Sequence, residues 1–234
     1  MNKYNSFLIG WASALFLTLF IGCSKEEQFD SDKTSDHQTP LSISVSNDLM
    51  SKSGGVISTN TLSSGSSIGL FLTKTSDGSP YFINHTNIQY TASGSGSSQI
   101  WSPSKPTWLN STPATVYAYY PYSESVTNVE SIPVDVTKNI DYLWAQPVTD
   151  VLNSQPDVEL QMKHAMSVIR FSLFKGEYTG AGIVSSITVQ GDCIAPTAKL
   201  NAKTGALTVA NPGNEVSFAN IGSLNALSST AQTI

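Results

Sequence analysis

Few side chains in this chain could do covalent or metal chemistry. Among its 234 residues are two cysteines and three histidines. His37 lies in a polar tract and His85 between turn-forming residues. His164 follows Val158, Leu160 and Met162 in phase on an alternating stretch, which sets it in or beside a core as a structural residue. Asp135, Asp141, Asp150 and Asp157 are spread over separate segments and form no carboxylate pair. The chain has no HExxH, no paired Cys/His spacing and no calcium-loop pattern. The glycines of Ser93–Ser98 lack the lysine and the strand-to-helix setting of a phosphate loop. No Gly-x-Ser-x-Gly stands at a strand-to-helix turn. The residues thus define no catalytic, cofactor-binding or metal site, and the chain is not expected to be an enzyme.

The aromatic residues form a denser group. Trp101, Trp108, Tyr117, Tyr119, Tyr120, Tyr122 and Trp144 fall within one short part of the chain. On strand alternation Tyr117 and Tyr119 share a face, whereas Tyr120 and Tyr122 lie on the other face or at the turn made by Pro121. Aromatics carry much of the buried area of β proteins, so one reading is packing in the core and at its rim. The other is a stacking platform for a sugar ring, with Trp101, Trp108 and Trp144 as its candidate residues.

Cys23 has a different setting. It ends the uncharged run Phe7–Gly22, which is short of the roughly twenty residues that cross a bilayer as a helix. A positive start, an apolar middle and a small residue before a change of polarity describe a secretory leader. Ile21-Gly22-Cys23 resembles a bacterial lipobox, in which Cys23 takes diacylglycerol on sulfur and becomes the mature N-terminus. Each buried acyl methylene contributes about 0.8 kcal/mol, so two or three chains anchor stably. Residues 1–22 are then the leader and 23–39 a flexible polar leash. Ser24-Lys25-Glu26-Glu27 resembles the export signal that carries lipoproteins of Bacteroidota to the cell surface. The expected location is the outer membrane, lipid-anchored and surface-exposed. With Cys23 lipidated, Cys193 has no intrachain partner and is expected to be a small buried hydrophobe.

The elements expected to carry these residues are strands. Serine and threonine make up about a quarter of the chain, and helical periodicity is hard to find after residue 40. Leu41, Ile43 and Val45 alternate with serines; Val158, Leu160 and Met162 alternate with charged and amide residues; Ile169, Phe171 and Leu173 do the same. Further strands are expected over 68–73, 88–92, 115–120, 132–136, 183–190, 199–201 and 206–209, with turns at Asp77–Pro80, Lys203–Gly205 and Asn211–Asn214. Half-apolar strands joined by turns bury their apolar faces against each other, which predicts an all-β antiparallel sandwich over residues 40–212. Residues 213–234 are expected to be a linker and the incomplete start of a second β domain. The net charge of −5 argues against nucleic acid as a partner.

Several of these strands, taken in order, carry a resemblance. Ile68-Gly-Leu-Phe-Leu, Trp108 followed by "VYAYYPY" (116–122), "DYLWAQ" (141–146) and "VELQMKHAMSVIRFSL" (158–173) resemble the N-terminal domain of the fimbrillin family, pilus subunits and adhesins of Bacteroidota made as lipoproteins. The resemblance implies a transthyretin-like β-sandwich followed by a second sandwich. It also implies assembly by strand exchange: a trypsin-like protease removes the first strand, and a strand of a neighbouring subunit fills the groove. Here the first strand is Leu41–Asn47, with Leu41, Ile43 and Val45 pointing inward, and Lys52 is the candidate cleavage site. The expected partners are other fimbrillin-like subunits, the membrane through the lipid, and a host or bacterial surface ligand. The donor-bearing second domain is nearly absent after Asn220, which is expected to leave apolar surface around Val216, Phe218 and Ile221. A truncated product, a fragment and a variant that accepts a strand but gives none all fit that departure. The alternative function is a glycan-binding surface lipoprotein, which would keep residues 41–52.

Overall fold

The computed structural model describes residues 37–47, 62–83, 86–138, 140–167, 169, 171–192, 194–209, 215–219 and 227–233. From the N-terminus the strands are β1 (Thr39–Pro40), β2 (Ser42–Asn47), β3 (Ser67–Lys74), β4 (Ile88–Ser93), β5 (Ile100–Pro103) and β6 (Trp108–Leu109). There follow β7 (Ala114–Tyr120), β8 (Ile132–Asp135), β9 (Leu143–Ala145), β10 (Val148–Val151), β11 (Asp157–His164) and β12 (Ser172–Leu173). The last are β13 (Ser186–Gln190), β14 (Thr197–Leu200), β15 (Leu207–Val209), β16 (Glu215–Ala219) and β17 (Gln232–Thr233). A single 3-10 turn, Gly96–Ser98, is the only helical element among the described residues, so the protein is all-β as its composition predicts.

One eight-stranded sheet organises the molecule. Its neighbours run β2-β11-β9-β7-β3-β4-β5, and β10 pairs with the first half of β7. Together β9 and β10 act as one interrupted partner of β7. Pro147, between them, has no N–H to give to a ladder. The register then shifts between Val148 and Val151, where Asp150 takes a left-handed φ of 58°.

The inner face of this sheet forms the first core. Ile68, Leu70 and Leu72 of β3, Ile88, Tyr90 and Ala92 of β4, Val116 and Ala118 of β7, and Val158, Leu160 and Met162 of β11 are buried in one cluster. Ile43 and Val45 from one end strand and Trp101 from the other belong to the same cluster. A single sheet can bring both its ends into one core only by curling around it. The opposite face meets a smaller sheet of order β15-β14-β8. There Phe71 and Tyr119 pack with Ile132, Val134, Ala198 and Leu200 in a second core. Central strands β3 and β7 are therefore buried on both faces, which is why "SIGLFL" and "ATVYAYY" read as nearly continuous apolar runs. The result is a sandwich-like arrangement of sheets.

The β14–β15 hairpin closes over Trp144. Gly205 sits there at φ 75°, and a Cβ on it would fall 2.1 Å from the Trp144 ring. Only glycine meets both demands at this turn.

Beyond β11 the alternation finds less to pack against. The stretch expected to turn Ile169, Phe171 and Leu173 inward keeps only Ser172–Leu173 as strand, and Ile169 is 59% exposed. Its partner β17 spans two residues, so no sheet face exists for Ile169 to cover. The strand expected over 183–190 begins at Ser186 and pairs with β16, from Ser186↔Ala219 to Gln190↔Glu215. Segments on either side of residue 212 thus pair with each other. Val216, expected at an apolar surface, is buried at 2%. Among the described residues of this region the exposed large apolar side chains are Ile169, Phe174, Tyr178, Ile183 and Leu207. The Phe218 side chain and Ile221 lie outside the described residues.

Candidate functional site

The first strand seals the curled sheet, and two sets of backbone bonds hold it there. Residues 39–41 reach one side: Thr39 pairs with Leu109, Pro40 with Trp108, and Leu41 N–H donates to Thr107 O at 2.8 Å. Residues 42–47 then run parallel to β11 on the other side, from Ser42↔Asp157 to Asn47↔Met162, with Ser42 N–H donating to Pro156 O at 3.1 Å. In this way a single segment bridges the β6 and β11 sides of the sheet.

Its side chains do the sealing. Leu41, Ile43 and Val45 are buried in the first core at 5%, 9% and 7% exposure, as their alternation predicts. Ser42 and Ser44 face outward and are exposed. Each buried aliphatic side chain contributes about 1.5–3 kcal/mol. Ordering the backbone opposes this at about 1–2 kcal/mol per residue. The three buried anchors therefore offset only part of the cost of ordering the segment, and the ladder bonds on its two sides contribute the rest. The β2 ladder is parallel, slightly the weaker kind per residue, and among the described strands β2 pairs with β11 alone.

The end of the core nearest β1 and β5 is the least well satisfied. Tyr90 Oη, Gln99 Oε1 and Trp101 Nε1 are buried there without a hydrogen-bond partner among the described residues. Each such group costs about 1–3 kcal/mol. Burial pushes the Tyr90 hydroxyl above its ordinary value, and the neighbouring Thr107 hydroxyl opposes that shift only in part. Thr107 Oγ1 is itself committed to Lys105 O at 3.1 Å.

The other predicted residues fall elsewhere. Cys23, Lys52, His85 and Cys193 lie outside the described residues. The tryptophan platform is not formed. Trp101 is buried at 7% with its side chain in the first core, whereas Trp144 is half-buried beside the second. The Lys163 ammonium lies 6.0 Å from the centroid of the Trp144 ring. Trp108, at 45%, is the most exposed of the three. Burial area claimed two of them, so three tryptophans close in sequence end in different surroundings. Tyr117 and Tyr119 do share the second-core face, and Tyr120 packs against the first core. His164 is half-buried beside the core, with Nδ1 2.8 Å from Asp141 Oδ1.

An all-β sandwich whose own first strand completes its core is a self-complemented β-sandwich. The chain belongs to the fimbrillin-like family, which it matches over residues 56–234. No curated protein sequence matches it. Solved crystal structures that are similar to it include the following two. One is a protein ascribed to cell adhesion from Bacteroides uniformis ATCC 8492, with TM-score 0.56 and 15% identity, covering 85% of this chain and 73% of that one. The other, also ascribed to cell adhesion, is from Bacteroides ovatus ATCC 8483, with TM-score 0.56 and 17% identity, covering 85% of this chain and 77% of that one. At those identities the likeness is one of fold.

Proposed function

We propose that this protein is a surface lipoprotein that serves as a pilus subunit or adhesin, and that it assembles by exchanging its first strand. The observation that carries the reading is the seal itself. Leu41, Ile43 and Val45 fill the core from a segment that precedes the rest of the sandwich in sequence and, among the described strands, pairs with β11 and β6 alone. Once released, that segment would leave the edge of β11 unpaired above an apolar groove, which is a template for a strand from another chain. Lys52 lies between the first strand and β3, and the family match begins at Val56, just beyond it. Cleavage after Lys52 would free the strand together with the Cys23 lipid and the leash. Membership of the fimbrillin-like family supports the pilus role, and the cell-adhesion ascription of both similar structures supports the adhesive one. The partners are then other fimbrillin-like subunits, and the location is the outer membrane before processing and the pilus after it.

Mass spectrometry of the protein recovered from its native cell surface tests this. The expected species starts at Ser53, lacks lipid and runs in high-mass assemblies. A diacylated monomer starting at Cys23, with its first strand intact throughout growth, would overturn strand exchange and leave an anchored binding protein.

A further inference from the structure

The outer face of β3 and β4 carries a second feature, which is independent of strand exchange. Two adjoining hollows, of about 590 and 450 Å³, share Gln89 and Tyr122 as lining residues and so form one groove. The groove is shallow and open to solvent, a shape that suits a chain laid along the surface rather than a small molecule enclosed in a cleft. The groove lies where β3 begins and β7 ends, beside the segment 120–127.

Its walls are pinned by part-buried hydrogen bonds. Tyr122 N–H donates to Ser67 O at 2.9 Å, tying the wall to β3. Asn87 Nδ2 donates to Ser123 O at 2.9 Å and to Val126 O at 2.8 Å, tying it to the start of β4. Asn87 Oδ1 accepts from Tyr119 Oη at 3.2 Å, and Ser123 N–H donates to that same hydroxyl at 3.2 Å. The Tyr119 ring lies so close over Gly69 that a Cβ there would stand 2.1 Å from Cε1. Gln89 Nε2 is held by Ser67 Oγ at 3.0 Å. A groove fixed in this way needs little ordering when a ligand enters.

The lining chemistry selects the ligand. One hollow presents the Ser64, Ser66 and Ser67 residues beside Tyr120 and Tyr122. The other adds Thr86, Ser104 and Thr127, with Lys105 matched by Glu124. Hydroxyls and amides that donate and accept suit a ligand made of hydroxyls, and tyrosine rings suit its C–H faces. The single lysine is offset by a carboxylate, so the groove holds no net charge to favour an anion. A peptide strand would need an open ladder, whereas Gln89 and Ser67 lie on strands already paired on this sheet. We infer that this groove binds an uncharged oligosaccharide, making Tyr122, Gln89 and Glu124 its contact residues.

The test applies the full-length chain, purified in detergent, to a printed array of neutral, sialylated and sulfated oligosaccharides. The expected result is binding to neutral saccharides, weakened at least tenfold by Tyr122→Ala and by Glu124→Gln and unchanged in Trp108→Ala. Thermal melting accompanies each variant. If Tyr122→Ala lowers the melting temperature, Glu124→Gln decides, because that exposed side chain can be altered without disturbing the fold. Binding confined to acidic saccharides, binding indifferent to Glu124→Gln, or no saccharide binding at all would overturn the assignment.

Discussion

Replacing Ile43 by alanine probes the seal directly. The change removes three carbon groups from a side chain that is 9% exposed within the first core. At about 0.8 kcal/mol per buried methylene, the transfer loss alone is about 2.4 kcal/mol. A residual cavity adds to that, but Ile43 lies on an end strand whose backbone can settle inward, so the cost stays near the low end of the 2–5 kcal/mol usual for such truncations, at about 2–3 kcal/mol. The assay is urea denaturation of the full chain. With a slope of about 1–3 kcal/mol/M, the midpoint should fall by roughly 1 M while the slope is unchanged. Ser44→Ala is the control, since Ser44 is exposed and pairs with Glu159 through the backbone; it should move stability by less than about 0.5 kcal/mol. Hydrogen exchange separates two ways the loss can appear. If the strand opens as a unit of its own, protection across 42–47 falls in Ile43→Ala while the global midpoint moves little. Equal effects of Ile43→Ala and Ser44→Ala on both the midpoint and the exchange would refute a sealed core and remove the basis for exchange.

Four more outcomes follow from the structure. Gly205→Ala should cost about 2–4 kcal/mol in a denaturant titration, through the Trp144 clash and the positive φ together. Gly65→Ala, at φ 87° with open space around it, should cost only about 1 kcal/mol. Asn87→Ala removes bonds to Ser123, Val126 and Tyr119, so it should cost about 2–4 kcal/mol and raise hydrogen exchange across 122–127. Asp135 is held below the ordinary carboxylate value of 3.8, first by the Thr137 hydroxyl and then by Lys138. A depressed carboxylate stabilises the fold above its unfolded pKa and loses that contribution as pH falls through the folded one. Thr137→Val should therefore move the Asp135 midpoint up toward 3.8 in an NMR titration, and a downward move would contradict the assigned cause.

What could be seen in the sequence depended on whether a segment has one buried face or two. Val158, Leu160 and Met162 declare their strand because β11 is buried on one side only, and Leu41, Ile43 and Val45 declare theirs for the same reason. Strands β3 and β7 are apolar on both sides, so alternation is lost and only the length of the run marks them. The side that Trp101 faces was not legible, because "IWSP" is too short for a period to assign its face. Alternation over 169–173 states a willingness to pair, not the presence of a partner, and the partner found is two residues long. The hub at Asn87 had no local signature at all. A lone asparagine before a strand looks like turn chemistry, whereas its bonds reach residues 36 and 39 positions onward.

The two proposed activities draw mainly on opposite faces of one sheet, meeting only at Tyr120, and this makes them separable. The first strand contributes Leu41, Ile43 and Val45 to the inner core, together with Leu70, Ile88 and Leu160. The groove is lined by outward residues of β3 and β4, by Tyr120 at the end of β7, which also packs against the first core, and by the wall beyond it, anchored through Tyr119 and Asn87 on the second-core side. Between them stands a central strand, β3, whose Ile68, Leu70 and Leu72 look one way and Phe71 the other. Exchange of the first strand, as proposed, would replace apolar side chains on the inner side with a donor's, and volume-conserving swaps in a core usually cost less than about 1.5 kcal/mol. That is too small to break the Asn87 and Tyr122 bonds, which do not touch the exchanged segment. A subunit built this way would present the same saccharide groove whether its core is completed by its own strand or by a neighbour's.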